Sequence, residues 1–169
     1  SLFRNPGVLT GSAANDMLFA GPATTAIYGG GGDDIIVGGG PGVSAVLYGG
    51  SGADIFVLSA SDTPIRIADY QPGVDRLDLT SLPMLRNLGQ LTITSTATGA
   101  QILYGTTVID IESFDGNPIA PTAFADSQTL RLTRYAPTTA TEILMGSSSD
   151  DLLSTTSQPT MVMGLRGND

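Results

Sequence analysis

The sequence predicts an all-β fold: a parallel β-roll with a capping β-meander and a second, truncated β-roll block. The chain of 169 residues has 22 glycines and 10 prolines among short β-branched runs, a composition typical of strands joined by tight turns. It also holds two intact copies of a nine-residue pattern, Gly-Gly-x-Gly-x-Asp-x-apolar-x, at Gly29–Val37 and Gly49–Val57. Self-similarity at a short fixed period indicates a coil of stacked units.

Each copy of the pattern combines a tight turn with a short strand. The glycines permit positive φ, so the backbone can turn its carbonyl oxygens toward one point, and the aspartate adds a carboxylate. The next three residues form a strand that places one apolar side chain inward. Ca²⁺ takes about six to eight oxygen ligands. One loop cannot supply them, whereas two loops stacked about 4.8 Å apart can.

Counting in nines places five units between Gly11 and Val57, and the first, third and fifth units carry the aspartate. Because each unit is a half-turn, successive loops alternate between two edges of the coil. Asp16, Asp34 and Asp54, which are 18 and 20 residues apart, should therefore stack in one column on one edge.

The opposite edge carries Ala20–Thr25 and Gly38–Ala45, which contain no carboxylate. We therefore expect Ca²⁺ on one edge only. The predicted metal positions are the first, third and sixth residues of each acidic unit: Gly11, Ala13 and Asp16; Gly29, Gly31 and Asp34; Gly49, Ser51 and Asp54.

The strands of the five units predict both a thin core and an apolar outer face. One residue of each unit points inward: Leu18, Ile27, Ile36, Leu47 and Phe56. The outward positions of the acidic units are also apolar: Met17, Phe19, Ile35, Val37, Ile55 and Val57. A patch this continuous should be covered, either by the Leu77–Ser113 meander of the same chain or by a partner.

Residues 65–79 contain Asp69-Tyr70, Gly73-Val74-Asp75 and Leu77-Asp78-Leu79. With the repeats, this segment resembles the RTX, or hemolysin-type calcium-binding repeat, proteins. The resemblance is to the C-terminal β-roll region of serralysin-like proteases and to the RTX modules of alginate epimerases, adhesins and bacterial surface-layer proteins. It is close over 29–82 and looser over 11–115. It implies a further Ca²⁺ bound by Asp69, Asp75 and Asp78, the alternative being that these acids only cap turns.

Turn signals and alternation divide the chain into three parts. Residues 9–115 are predicted to form the β-roll with its closing β-meander. Residues 116–123 are predicted to be a linker, and residues 124–169 a second, incomplete β-roll block.

The second block repeats the acidic rhythm in a weaker form, because serines replace two glycines of its first loop. Its predicted metal positions are Gly146, Ser148 and Asp151, followed by Gly164, Arg166 and Asp169. A decayed repeat without metal is the open alternative. The last repeat lacks its strand, so we expect a piece of a longer protein. Met161–Met163 should then be an edge strand with unpaired backbone groups. We expect this end either to be disordered in the monomer or to be ordered by docking on a neighbouring copy or domain of the parent protein.

Composition excludes several functions. The chain has no His, no Cys and no Lys, which removes the usual general bases, disulfides and most zinc sites. We therefore expect no enzyme activity. The net charge of −9 argues against nucleic acid. No apolar run approaches the roughly 18 residues that span a bilayer, so membrane insertion is not expected. The N-terminal residues lack the apolar region of a signal peptide.

The resemblance implies a calcium-binding structural module of a large secreted bacterial protein of the surface-layer or adhesin type. Such a module would be exported unfolded by type I secretion and would fold on Ca²⁺ in the extracellular space or at the cell surface. The alternative is a carbohydrate-binding or accessory module of a secreted RTX enzyme. An anionic polysaccharide would need a basic groove, and the few arginines are widely scattered.

Overall fold

The computed structural model describes residues 7–124 and three further strands at 142–145, 153–154 and 160–163. Two short 3-10 helices lie at Leu88–Gln90 and Pro121–Ala123. The strands of the described residues are β1 (Val8–Thr10), β2 (Met17–Phe19), β3 (Ala26–Gly31), β4 (Ile35–Gly39), β5 (Val46–Ser51), β6 (Ile55–Ser59), β7 (Ile65–Tyr70), β8 (Arg76–Asp78), β9 (Thr92–Ser95), β10 (Gly99–Tyr104), β11 (Thr107–Ser113), β12 (Glu142–Met145), β13 (Leu153–Ser154) and β14 (Thr160–Met163).

The strands form two sheets that the chain visits alternately. The larger sheet has the order β13-β1-β3-β5-β7-β11-β10-β9, and the smaller has the order β12-β14-β2-β4-β6-β8. From β1 to β8 every odd strand joins the larger sheet and every even strand joins the smaller one, and neighbours within a sheet run parallel. This is the predicted parallel β-roll, and the prediction of an all-β fold is confirmed.

The interior of the roll is a stack of single apolar side chains. The five inward residues predicted from the repeat are all fully buried: Leu18, Ile27, Ile36, Leu47 and Phe56. One further strand of the roll precedes Gly11. This strand, β1, pairs with β3 and places Leu9 beside Ile27 in register. The nine-residue pattern does not predict β1, since the residues before Gly11 carry no acidic loop.

The meander extends the larger sheet and does not cover the outer face of the smaller one. β11 pairs in parallel with β7, and β10 and β9 follow in antiparallel order. Of the two covers expected for the Met17, Ile35 and Ile55 face, the meander strands do not provide one, and cover by a partner stays a prediction. These side chains remain half-buried among their own neighbours. Pairing with the free edge of β7 satisfies backbone hydrogen bonds, which a face-on packing would leave open.

Residues 116–124 pack on the core, although the sequence predicts a linker at 116–123. Ile119 is buried, and its backbone N–H donates to the Gly99 carbonyl at 2.8 Å. Phe124 is also buried and stacks on Tyr70 with 5.8 Å between ring centroids. Two prolines favour a linker here, but the buried side chains of Ile119, within the segment, and Phe124, directly after it, hold it against the core.

The strands of the second block join the two sheets of the first. β13 pairs with β1, and β14 pairs with both β2 and β12. Met161–Met163 is thus not an edge strand, contrary to expectation; the edges at this end are β12 and β13. The predicted linker at 116–123 does not separate two rolls, because strands on both sides of it share the same sheets.

Candidate calcium-binding edge

Four loops that lead from the larger sheet to the smaller one meet at one edge of the roll, and their aspartates form a column. The backbone N–H of Asp16 donates to Asp34 Oδ1 at 2.8 Å, and that of Asp34 donates to Asp54 Oδ1 at 2.9 Å. The N–H of Asp54 donates to Asp75 Oδ1 at 3.1 Å. The structure therefore brings together the three aspartates of the repeat as the spacing predicts, and Asp75 adds a fourth member.

The two intact repeats differ from the outer loops in the hydrogen bonding of the second carboxylate oxygen, Oδ2. Among the described residues, Asp34 Oδ2 and Asp54 Oδ2 are the buried side-chain oxygens that lack a hydrogen-bond partner. Asp16 Oδ2, by contrast, accepts from the N–H and hydroxyl of Ser12 at 2.5 and 2.9 Å. Asp75 Oδ2 accepts from the N–H of Gln71 at 2.8 Å. A buried acceptor without a donor is costly, and a cation would satisfy it.

The first glycine of each intact repeat leaves open the space that these oxygens face. A Cβ atom on Gly29 would lie 2.4 Å from both Asp34 Oδ2 and the Gly49 carbonyl oxygen. A Cβ atom on Gly49 would lie 2.2 Å from Asp54 Oδ2. Oxygens from two successive loops therefore converge at Gly29. Ca²⁺ favours a mixed set of carboxylate and carbonyl oxygens, so the residues present fit this ion.

Burial raises the pKa of three carboxyl groups in the column. It raises the pKa of Asp34 to about 8, and the neighbouring charges of Asp54, Asp16 and Asp33 contribute. It raises the pKa of Asp75 to about 7 and that of Asp54 to about 6. Hydrogen bonds from backbone N–H groups oppose the shift at each position. The column therefore holds its negative charge poorly without a compensating cation.

These pKa shifts predict that acid stabilises the metal-free chain. The pKa of Asp34 is 3.8 at its ordinary value and about 8 in the fold, so the folded state binds a proton that the unfolded state releases. This stabilisation is complete below about pH 4 and is lost as the pH rises through about 8. In calcium-stripped buffer, the melting temperature should fall between pH 5 and pH 9, with saturating Ca²⁺ weakening the dependence. A melting temperature that rises with pH in metal-free buffer would contradict this reading.

The three acids that the family resemblance assigns to a further ion do not all lie together in the closing segment. Asp69 lies at the acidic edge, where its two oxygens accept from the N–H groups of Gly49 and Gly50, each at 2.9 Å. Asp78 lies at the far end of β8 and accepts from the N–H of Thr80 at 2.9 Å. Asp69 and Asp75 thus flank one loop, and Asp78 does not join them.

The metal role of every predicted position stays a prediction. In the described part of the chain, no three acidic side chains group closely enough to hold a metal by themselves, so backbone carbonyls would have to supply many of the ligands. Six of the predicted metal positions lie outside the described residues: Gly146, Ser148, Asp151, Gly164, Arg166 and Asp169.

A second set of hydrogen bonds between loops is absent from the sequence-based prediction. The N–H of Asp33 donates to Asn15 Oδ1 at 2.8 Å, and the N–H of Ala53 donates to Asp33 Oδ1 at 2.8 Å. These side chains occupy the fifth position of their units, directly before the metal aspartate. An Asn or Asp at that position is the signal that would have predicted the contact.

The fold and the column of stacked Gly-Asp loops define a parallel β-roll of the calcium-repeat class. The chain belongs to the Peptidase M10 serralysin C terminal family, whose model matches residues 10–112. Among solved structures, it is similar to the solution structure of the AlgE6R3 subunit from the Azotobacter vinelandii mannuronan C5-epimerase. That match has 16% identity and a TM-score of 0.49, and it covers 94% of this chain and 93% of that one. No curated protein matches.

Helices in the described residues are too short and too polar to cross a bilayer.

Proposed function

We propose that this chain is a calcium-binding structural module in which Ca²⁺ completes the fold and no reaction is catalysed. The observation that carries the proposal is the pair of buried carboxylate oxygens on Asp34 and Asp54 that have no donor. The residues that would hold the ion are the loops Gly29–Asp34 and Gly49–Asp54, through carboxylate and backbone carbonyl oxygens.

The role of the ion follows from the charge and the thinness of the roll. Four of the five units bury a single inward apolar side chain, and the fourth adds Val43 and Ala45 to Leu47. Burial on this scale offsets little of the conformational entropy that each unit loses on folding. The stacked carboxylates add mutual repulsion when they are ionised. An ion that binds only the folded state stabilises it by about 2.7 kcal/mol when its free concentration is one hundred times Kd. Ca²⁺ would therefore shift the chain from weakly folded to folded.

This coupling suits a protein that is folded outside the cell. Extracellular calcium modules bind with Kd values of about 10⁻⁴–10⁻³ M, so the low calcium of a cytoplasm would leave the sites empty. We infer that the chain is part of a secreted or cell-surface bacterial protein of the surface-layer or adhesin type, exported unfolded by type I secretion. Membership of the serralysin C-terminal family supports the secreted location.

The alternative, a carbohydrate-binding or accessory module, finds less support. An anionic polysaccharide would need free cations on one face. Arg66, on the outer face of the larger sheet, is instead paired with Glu112 at 2.5 Å. The structural role is therefore the function that the geometry supports best.

Calorimetric titration of the chain with CaCl₂ and with MgCl₂ tests the proposal. Ca²⁺ should bind with a Kd of about 10⁻⁴–10⁻³ M, as in other extracellular modules. Mg²⁺ should bind far more weakly, because it demands a smaller octahedral site and gives up its water reluctantly. The absence of calcium binding, or equal affinity for both ions, would contradict the proposal.

A further inference from the structure

The order of strands at the start of the roll differs from their order in the chain. In the larger sheet β13 precedes β1 and β3, and in the smaller sheet β12 and β14 precede β2. Strands that follow one another along the roll alternate between the two sheets. The strand that follows β14 in space therefore belongs in the larger sheet, beside β13. β1 lies in that place. The spatial order of the coil is therefore β12, β13, β14, β1, β2 and onward to β8.

The block β12–β14 is thus held in the roll by the backbone pairing of β13 with β1 and of β14 with β2. The pairs run in parallel register, with Leu9 opposite Leu153 and Met17 opposite Met161. Strand pairing of this kind recognises backbone groups and an in-register face. Every copy of the chain carries the same two acceptor strands and the same block.

The covalent connection to the block is long enough for more than one arrangement. Phe124 stacks on Tyr70, near the opposite end of the roll from β12. Between Phe124 and Glu142 lie residues 125–141, a segment of 17 residues. Fully extended, it reaches about 55–60 Å. The distance along the smaller sheet from β8 to β12 is five strand spacings, or about 24 Å.

We propose that β1 and β2 form an acceptor surface for the β12–β14 block of a second copy of this chain, so that copies join head to tail. The joined pair keeps one free acceptor, on the copy that donates its block, and one free block, on the copy that receives it. The contact is therefore heterologous and can extend to further copies. Pairing of the block with the acceptor of its own chain is intramolecular, and it competes with exchange at an effective concentration on the order of millimolar. Closed monomers should dominate in dilute solution, and exchange should grow as the protein concentration approaches that value.

Disulfide trapping in the full chain tests the exchange, because the chain has no cysteine. Met17→Cys is made in one sample and Met161→Cys in another. Opposed Cα atoms on neighbouring strands lie about 4.8 Å apart, within the range that a disulfide spans. The two variants are mixed in urea, refolded with CaCl₂ and oxidised. We expect a covalent dimer that links positions 17 and 161, with a dimer-to-monomer ratio that rises about tenfold for each tenfold rise in concentration below the effective value.

Two controls make each outcome decisive. Met84→Cys replaces Met17→Cys in a parallel mixture; Met84 is 72% exposed and lies away from β1 and β2, so it reports random collision. The double variant Met17→Cys/Met161→Cys reports docking of the block within one chain. Crosslinking in the double variant only, with a mixture no more reactive than the Met84 control at any concentration, would overturn the proposal. Failure of both the mixture and the double variant to crosslink would overturn it as well.

Discussion

Replacing Asp34 by alanine should raise the calcium concentration needed for half-maximal folding by at least about tenfold, or about 1.4 kcal/mol. Asp34 lies between the Asp16 and Asp54 loops, so its loss affects the sites on both sides. Its Oδ1 accepts from the N–H of Asp16, and its buried Oδ2 has no hydrogen-bond partner. In metal-free buffer at pH 9 the same substitution should cost less, because it also removes a buried charge. Calcium titrations monitored by circular dichroism measure both effects.

Asp62→Asn is the matched control for this prediction. Asp62 accepts from the N–H of Gly42 at 3.1 Å, on the edge opposite the acidic column. Its replacement removes one carboxylate and keeps the size of the side chain, so the calcium midpoint should stay unchanged. Equal shifts in the two variants would show that the response reflects net charge and that the column has no special role.

Gly50→Ala should destabilise the calcium-bound chain by about 2–5 kcal/mol. Gly50 has φ of 94°, and a Cβ atom there would lie 2.2 Å from the Gly30 carbonyl oxygen of the preceding loop. The left-handed backbone costs a residue with a Cβ atom about 1–2 kcal/mol. Forcing the two loops apart adds about 1–3 kcal/mol. Urea unfolding in saturating Ca²⁺ measures the sum.

Gly40→Ala separates these two causes. Gly40 has φ of 104°, but a Cβ atom there would meet nothing within 4 Å. This variant should pay only the backbone cost. If Gly40→Ala and Gly50→Ala destabilise the chain equally, the backbone conformation alone accounts for the loss at Gly50. The close contact with the Gly30 carbonyl would then add nothing.

The first half of the fold could be predicted from the sequence because its information is local. Each unit carries its own turn, its own acid and its own inward residue, so counting from Asp34 to Asp54 gives the register directly. The same logic places Phe56 and Ile36 in the core, where the structure finds both fully buried.

The position of the second block could not be predicted in this way. Each end of the roll presents unpaired backbone groups, and nothing local to β14 specifies that it pairs with β2. The position of the meander could not be predicted for a related reason. The free edge of β7 competes with the apolar face of the smaller sheet for the strands of the meander. Burial of Phe124 depends on Tyr70, which lies far away in the sequence.

The candidate site, like the fold, could be predicted only in part. The spacing of the repeat predicts the column, and it does not predict how each carboxylate is satisfied. Ser12 replaces the second glycine of the first loop and supplies donors to Asp16 Oδ2, while the intact repeats leave the Oδ2 atoms of Asp34 and Asp54 without a donor. A departure from the pattern thus marks a loop in which the protein itself supplies the donors to the second carboxylate oxygen.

Calcium-coupled folding is tested most directly by the far-UV circular dichroism and melting temperature of the unmodified chain in calcium-stripped buffer at pH 8. Stepwise addition of CaCl₂ should increase the β signal and raise the melting temperature, EGTA should reverse both changes, and MgCl₂ at the same concentrations should have little effect. A β signal and a melting temperature that stay the same with CaCl₂ and with EGTA would contradict calcium-coupled folding of this chain.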